Sequence, residues 1–546
     1  MSRPSHAEAC RAFRWADGFA ALGWTADGAV DLGATLVDRH IGAPSIALRW
    51  RGRQGETRAS TFEELAEASS RFAQLLAALG VRKGDRVAGL LPRVPETIVA
   101  MIGAWKAGAI WVPIFTGFGP DAIRFRIAHS GASVLCTHRE YRAQVPADVP
   151  ADLAIVTIGA EAASDIDFAR AIASQPSATI RTPCRREDPA VLLYTSGSTG
   201  PPKGVQIAAN FLLAVHPYTA FGLDLRPDDV FWPTGDPGWG YGLVCYMTAL
   251  ARGVAVVSHE AAPSPEYLLS QLVEQGVTNL ATTPTLLRAV MALGAETARR
   301  YRVTLRCVSC CGEPLNAEVV NFFRAEWGVT VTDHYGSSEF GLPIGNANAL
   351  DMRVKPGSMG LPFPGLRMAV VDDEGRELPP DAVGQIGMAA SGDGYYSLGY
   401  WRDAGRTREL MRGDWMTIGD LARRDADGYF WFEGRADDVI TSAGYRIGPF
   451  EVESAMLEHP AVAEAAVVGK PDPIRGEIVK AFVVLRSGVA PSPALETEIA
   501  DTVRRRAGRH QVPREMAIVD RLPKTETGKI QRFLLRQGER ATAGRP

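Results

Sequence analysis

Apolar positions in the first third of the chain recur at two spacings, and the two alternate. Residues 62–79 carry them at helical intervals, with Gly80 where a helix would stop. Residues 86–91 form a short apolar run with the length and composition of a buried strand. A helix from about 95 to 105, a strand at 109–114, a helix from about 120 to 129 and a strand at 132–136 follow in the same rhythm. Helices alternating with short apolar strands predict an α/β fold with layers and a largely parallel sheet. Residues 137–188, rich in Ala, Asp and Pro, carry no recognisable chemistry. Towards the C-terminus the pattern changes. A short helix at 452–457, strands at 464–468 and 479–485, a helix from 493 to about 506 and a strand at 515–519 describe a small α+β unit of ordinary domain size. The expected organisation is a large multi-layer N-terminal domain, 1–436, with sheets and packed helices, and a small mobile C-terminal domain, 437–546.

The length of 546 residues supports more than one core. The net charge of −3 provides no dominant positive field, which argues against a nucleic-acid partner. The cysteines are scattered, with Cys310 and Cys311 adjacent, as suits a reducing compartment better than a disulfide frame. No apolar run reaches membrane-spanning length, and the N-terminus lacks the apolar core of a secretory signal, so a cytoplasmic protein is expected.

The candidate chemistry centres on one stretch. The apolar strand 190–193 leads into Thr195, Ser196, Gly197, Ser198, Thr199, Gly200, two prolines, Lys203 and Gly204. Glycines let backbone N–H groups approach an anion, hydroxyls donate to phosphate oxygens, and Lys203 adds a positive charge. A polyphosphate suits that set. It is not a Walker A loop, because glycine rather than Ser or Thr follows the lysine. Two later strands also end in turns of the kind that hold ligands at the edge of an α/β sheet. One runs through Cys311 into Gly312, Glu313 and Pro314; the other runs from Asp333 through Tyr335 and Gly336 to Ser338 and Glu339. A carboxylate facing bound phosphates, such as Glu339, is a natural Mg²⁺ ligand. His334 lacks metal-spaced partners and is read as structural. The glycine- and aromatic-rich segment 231–240 reads equally as a tight turn or as a pocket wall. Asp420 and Arg435 flank a hairpin-like segment, an acid and a base suited to ribose hydroxyls. Near the C-terminus, Pro, Thr and Gly punctuate a loop that presents Lys529.

Together these segments resemble the adenylate-forming superfamily from about residue 60 to 535, with six motifs in that family's order. The likeness is greatest to acyl-CoA synthetases of the acetyl and medium-chain type, on the segments 444–453 and 471–476. The resemblance implies an ATP-dependent ligase that converts a carboxylic acid to acyl-AMP with release of pyrophosphate, then passes the acyl group to coenzyme A, using Mg²⁺. It implies that residues Thr195 to Lys203 hold the phosphates and that Gly312, Glu313 and Pro314 frame adenine, with Asp333 and Tyr335 beside it. Ser338, where the family usually has Thr, touches the α-phosphate, and Glu339 holds Mg²⁺. Asp420 and Arg435 grip ribose, Asp437 is the hinge, and Lys529 is the catalytic lysine of the first half-reaction. Gly444 and Arg446 belong to the surface of the second, and Arg475 and Arg504 match basic contacts to the CoA nucleotide. Ala443 stands where many relatives have Ser. Trp239, Tyr241, Cys311 and Gly336 would line the acyl pocket. Acetate-restricted relatives plug it with Trp at position 336, so an open pocket for medium-chain, branched short-chain or aromatic acids is expected. An acetate or propionate ligase, an enzyme that loads a carrier protein, and a nucleotide-binding regulator without chemistry are the alternatives. The resemblance also allows a homodimer and a protein acyltransferase and deacylase acting on Lys529.

Overall fold

The computed structural model describes residues 3–42, 45–195, 202–261, 263–313, 315, 317–436, 438–442, 445–472, 475–507, 509, 511–524 and 530–543. Its contacts divide the chain into two compact units. The first takes residues 1–367 and 389–411, the second 368–388 and 412–546.

Two large sheets build the first unit. In one, strands Arg86–Leu90, Ile110–Ile114, Val134–His138 and Ala154–Ile158 run parallel. The antiparallel pair Pro189–Thr195 and Lys203–Ala208 and the strand Ser397–Tyr400 extend it at one edge. The sequence dictates the helices that cross between these strands. Thr61 caps Phe62–Ala78 in a capping box with Glu64, its apolar face buries Leu65, Phe72 and Leu76, and Gly80 ends it in a left-handed conformation at φ +83°. Pro95–Lys106 and Pro120–Ser130 each begin on a proline, which helix starts tolerate because the missing N–H would be unsatisfied there.

The second sheet is ordered around parallel strands Phe231–Pro233, Asn279–Thr282, Cys307–Cys311 and Val331–Ser337, with Gly341–Gly345 returning antiparallel. Its core gathers Trp232, Leu268, Leu280, Val308, Val320 and Phe323.

In the second unit, the hairpin Val462–Asp472 and Gly476–Leu485 carries Glu515–Ile518 parallel at its side. Alternation along the hairpin sorts its side chains. Ala465, Val467, Val479, Ala481 and Val483 face helices Pro449–Leu457 and Pro493–Arg506. Ala466, Val468 and Phe482 face Leu522, Ile530 and Leu535 on the other side. Strands Met368–Val371, Gly384–Ala389, Trp415–Arg424 and Phe430–Arg435 form a separate sheet of this unit. Among the described residues no helix is long and apolar enough to cross a membrane.

Candidate active site

In the first unit the antiparallel register pairs Thr195 with Lys203 and Tyr194 with Gly204, so both ends of the candidate phosphate loop are held side by side. Ser196, Gly197, Ser198, Thr199 and Gly200 lie outside the described residues. The Lys203 ammonium sits 5.2 Å from the centre of the Tyr400 ring, and the Tyr400 hydroxyl donates to Glu339 Oε1 at 2.9 Å. A cation, a phenol and a buried carboxylate are thus joined in one line. Tyr400 reaches this place because its strand pairs with 203–208, Tyr400 opposite Val205. Sequence reasoning missed it; the aromatic pair Tyr400-Trp401 after a glycine was the only signal.

Ser337 Oγ accepts the N–H groups of Glu339 at 3.3 Å and Phe340 at 3.0 Å, which fixes the turn that presents Ser338 and Glu339. A side chain at Gly240 would meet Leu193 at 3.1 Å and the Ser338 hydroxyl at 4.0 Å, so the start of helix Gly240–Ala251 lies against both motifs.

Strands Cys307–Cys311 and Val331–Ser337 are parallel neighbours with Cys310 opposite Asp333. Gly312 takes φ +96° with open space beside it, a conformation that favours glycine. Glu313 accepts from Thr285 at 2.6 Å and pairs with Arg288 at 2.5 Å. Pro314 lies outside the described residues, and Tyr335 is buried. Burial pushes the Asp333 carboxyl up to about 8, against a weaker contact from the Cys310 thiol. The folded state therefore keeps a proton that the unfolded chain, at about 3.9, has lost, so Asp333 lowers stability as pH rises between those values and no further above them. Asp333→Asn is expected to flatten the fall in melting temperature from about pH 4 to about pH 8, as thermal unfolding in a buffer series would show.

Of the candidate acyl-pocket residues, Trp239 stands among Phe115 and Phe118 with ring centres 5.7 and 5.9 Å away. Its indole N–H has no partner among the described residues. Tyr241 accepts a hydrogen bond from Tyr218 at 3.3 Å. Burial pushes the Cys245 thiol up to about 12, against a weaker opposing effect of the Tyr218 and Tyr241 hydroxyls. Cys311 is buried. His334 is a core histidine: its Nε2 donates to the Asn346 carbonyl at 3.2 Å, its ring meets Tyr218 edge-on, and burial holds it neutral, down to about 4.

Gly336 has a constraint that its sequence position did not reveal. A Cβ there would fall 2.3 Å from the Gly341 carbonyl and 2.7 Å from Leu342, so the returning strand fills the space a side chain would need. A tryptophan at this position is no simple plug in this chain, and Leu342 is the neighbour that sequence reasoning missed. Gly336→Ala is expected to destabilise the protein by about 1–3 kcal/mol through overpacking, measured by thermal or denaturant unfolding.

In the second unit, Asp420 and Arg435 are register partners and pair at 2.8 Å. Asp437, Gly444 and Lys529 lie outside the described residues, as does the Arg446 side chain. Arg475 occupies the hairpin turn, where its N–H donates to Asp472 at 2.8 Å. Gly476 pairs with Ser442, which sets that turn beside strand Ile440–Ser442. Arg504 lies on helix Pro493–Arg506, paired with Asp501.

Residues 39–401 match the family model of the AMP-binding enzyme, and residues 451–529 that of the AMP-binding enzyme C-terminal domain. The chain belongs to the AMP-binding enzyme family. The acetyl-coenzyme A synthetase of Bacillus subtilis is 37% identical over 548 residues, covering 98% of this chain and 95% of that protein. The crystal structure of Brucella canis acyl-CoA synthetase is 39% identical with a TM-score of 0.77, covering 99% and 100% of the two chains. An anthranilate CoA ligase solved with anthranoyl-AMP is 29% identical with a TM-score of 0.85, covering 98% and 100%. This AMP-binding enzyme is an acyl-CoA synthetase of the adenylate-forming superfamily. Its substrates are a carboxylic acid, ATP and coenzyme A.

Proposed function

We propose that this acyl-CoA synthetase prefers a medium-chain, branched short-chain or aromatic acid to acetate. The observation that supports this most is the aromatic wall of Trp239, Phe115 and Phe118, with Tyr241, bonded to Tyr218, following Trp239 in the first turn of helix Gly240–Ala251. Such surfaces suit an extended apolar or ring-bearing acyl group, and each CH₂ they bury contributes about 0.8 kcal/mol. Similarity to a ligase solved with anthranoyl-AMP agrees with a ring-bearing acid. A panel of acids in a pyrophosphate-release assay, with and without CoA, tests the reading: kcat/KM should rise from acetate to hexanoate. A fall would favour the second reading, a short-chain ligase, which draws on Leu342 filling the space beside Gly336 and on the likeness to an acetyl-CoA synthetase.

The chemistry assigned to the residues is as follows. The carboxylate oxygen attacks the α-phosphorus of ATP and the bond to the β-phosphate oxygen breaks, giving acyl-AMP and pyrophosphate. The CoA sulfur then attacks the acyl carbon, AMP leaves with the C–O electron pair, and the thiol proton goes to solvent. The first step brings two anions together. Lys203 and the loop Thr195 to Gly200 bind the β- and γ-phosphates, Ser338 orients the α-phosphate, and Lys529 places positive charge at the reacting oxygens. Gly312, Glu313, Pro314, Asp333 and Tyr335 take the adenine, and Asp420 with Arg435 the ribose. Among the described residues no three His, Cys, Asp or Glu side chains cluster as a metal cage. A single oriented carboxylate fits Mg²⁺, which completes its shell with water and substrate phosphates. Glu339, held by Tyr400, would carry it, and the ion would supply charge neutralisation on the phosphates.

The same reading assigns rotation of the C-terminal domain to Asp437, after which Gly444, Arg446, Arg475 and Arg504 serve CoA. Acylation of Lys529 by a protein acyltransferase would cancel its charge and stop the first step. A homodimer and a cytoplasmic location complete the proposal.

A further inference from the structure

We infer that Arg532 and Glu453 are positioning residues that tie the loop bearing Lys529 to the exit of the hinge. The inference rests on the proposed roles of Lys529 and Asp437.

Arg532 is the third residue after Lys529 and the first of helix Arg532–Ala543. Its guanidinium meets Glu453 through two parallel contacts, Nε to Oε1 at 3.0 Å and Nη2 to Oε2 at 2.6 Å. Glu453 is 4% exposed, and its Oε1 also accepts the Val467 N–H at 2.8 Å, so the carboxylate is fixed to both the hairpin and helix Pro449–Leu457. A forked pair of this kind sets direction as well as distance. Arg532 Nη1 also lies 3.8 Å from Asp438, the residue directly after the hinge position, and Arg536, one helical turn on, binds Asp438 as well. Two carboxylates and two guanidinium groups thus form a charge-balanced cluster. It joins two points of the chain far apart in sequence, one next to the hinge and one next to the catalytic lysine.

The stem of the Lys529 loop is closed on its own account. Lys524 pairs with Ile530 in a β-bridge, Gln531 N–H donates to the Pro523 carbonyl at 2.9 Å, and Lys524 pairs with Glu464 at 2.6 Å. Those contacts hold the loop together. The Arg532 cluster does something different, because it links the loop to the hinge. The strand Ile440–Ser442 follows the hinge within a few covalent bonds, so the surface of the second half-reaction takes its place without the cluster. The lysine depends on it. Turning the chain at 437 carries Asp438, and through the two arginines it carries the lysine loop by the same angle.

The test separates the half-reactions. Acid-dependent exchange of pyrophosphate into ATP reads the first; thioester formed from supplied acyl-adenylate and CoA reads the second. In Glu453→Gln and in the milder Asp438→Asn, the first is expected to fall about 10- to 100-fold, the range that a misplacement near 1 Å produces, while the second holds. Arg532→Lys, which keeps the charge but loses the fork, should fall between these variants and the parent protein. A merely structural role would lower the melting temperature and both half-reactions by the same factor. That outcome, or no change in either half-reaction, overturns the inference. Absence of exchange in the unsubstituted protein with every acid would instead overturn the proposed function.

Discussion

Lys529→Ala is expected to abolish acid-dependent pyrophosphate exchange and to leave thioester formation from supplied acyl-adenylate intact. The carboxylate and the α-phosphate repel each other, and the approach is feasible only where fixed positive charge awaits the developing transition state. Removing one such donor from a site closed to water costs about 10²- to 10³-fold. The second half-reaction has another electrical character: a thiol attacks an activated carbonyl, and the electron pair of the breaking C–O bond leaves on the AMP phosphate rather than meeting an incoming carboxylate. A lysine that served only the first step leaves the second untouched when it is removed. Equal losses in both assays would reject the role. Ground-state binding of ATP should change little, because Lys203, held over Tyr400, stays in place.

Asp437→Pro should give the opposite pattern. Proline fixes φ near −65° and removes a backbone N–H, and it narrows the choices of Ala436 before it. The neighbours on either side are already committed, Ala436 N–H to the Gly419 carbonyl at 2.7 Å and Asp438 to Arg536. The proposed hinge at 437 lies between these two commitments. If the chain turns there between half-reactions, a locked dihedral traps one arrangement. Adenylation should persist while thioester formation falls at least about tenfold; each factor of ten is about 1.36 kcal/mol on the barrier. Loss of both together would place the turning point elsewhere.

Much of the fold was legible because local chemistry agreed with the final structure. The helix Pro493–Arg506 announces both its ends, with Ser492 capping and proline at its start and basic residues in its last turn. The strand Cys307–Cys311 is bounded by polar turns and buried throughout. Strand 464–468 proved longer, running Val462–Asp472, because the added residues are paired by register with Gly476–Leu485 rather than marked by apolar alternation. The contacts also group 368–388 and 412–436 with the C-terminal residues, through packing such as Phe432 against Phe450 that periodicity cannot show.

At the site, motifs announced themselves and their supports did not. Thr195, Lys203, Asp333 and Glu339 stand in recognisable runs. Tyr400 comes from a strand added at the sheet edge, Leu342 from a returning strand, and Glu453 and Arg532 from opposite ends of the small unit. Leu342 returns across a short turn; the others are placed by long-range pairing, which leaves no trace in the spacing of residues along the chain. Gly336 illustrates the cost of ignoring this. Its family position suggests room for a plug, and only the Gly341 carbonyl 2.3 Å from the missing Cβ shows that there is none.

The buried thiols of Cys245 and Cys310 carry one more consequence for the proposed chemistry. An acyl-adenylate is a strong electrophile, and an enzyme that makes one beside its own sulfur atoms risks self-acylation. Cys245 and Cys310 are kept protonated by burial, and a neutral thiol is a poor nucleophile. Those two thiols therefore do not compete with the incoming coenzyme for the activated acid.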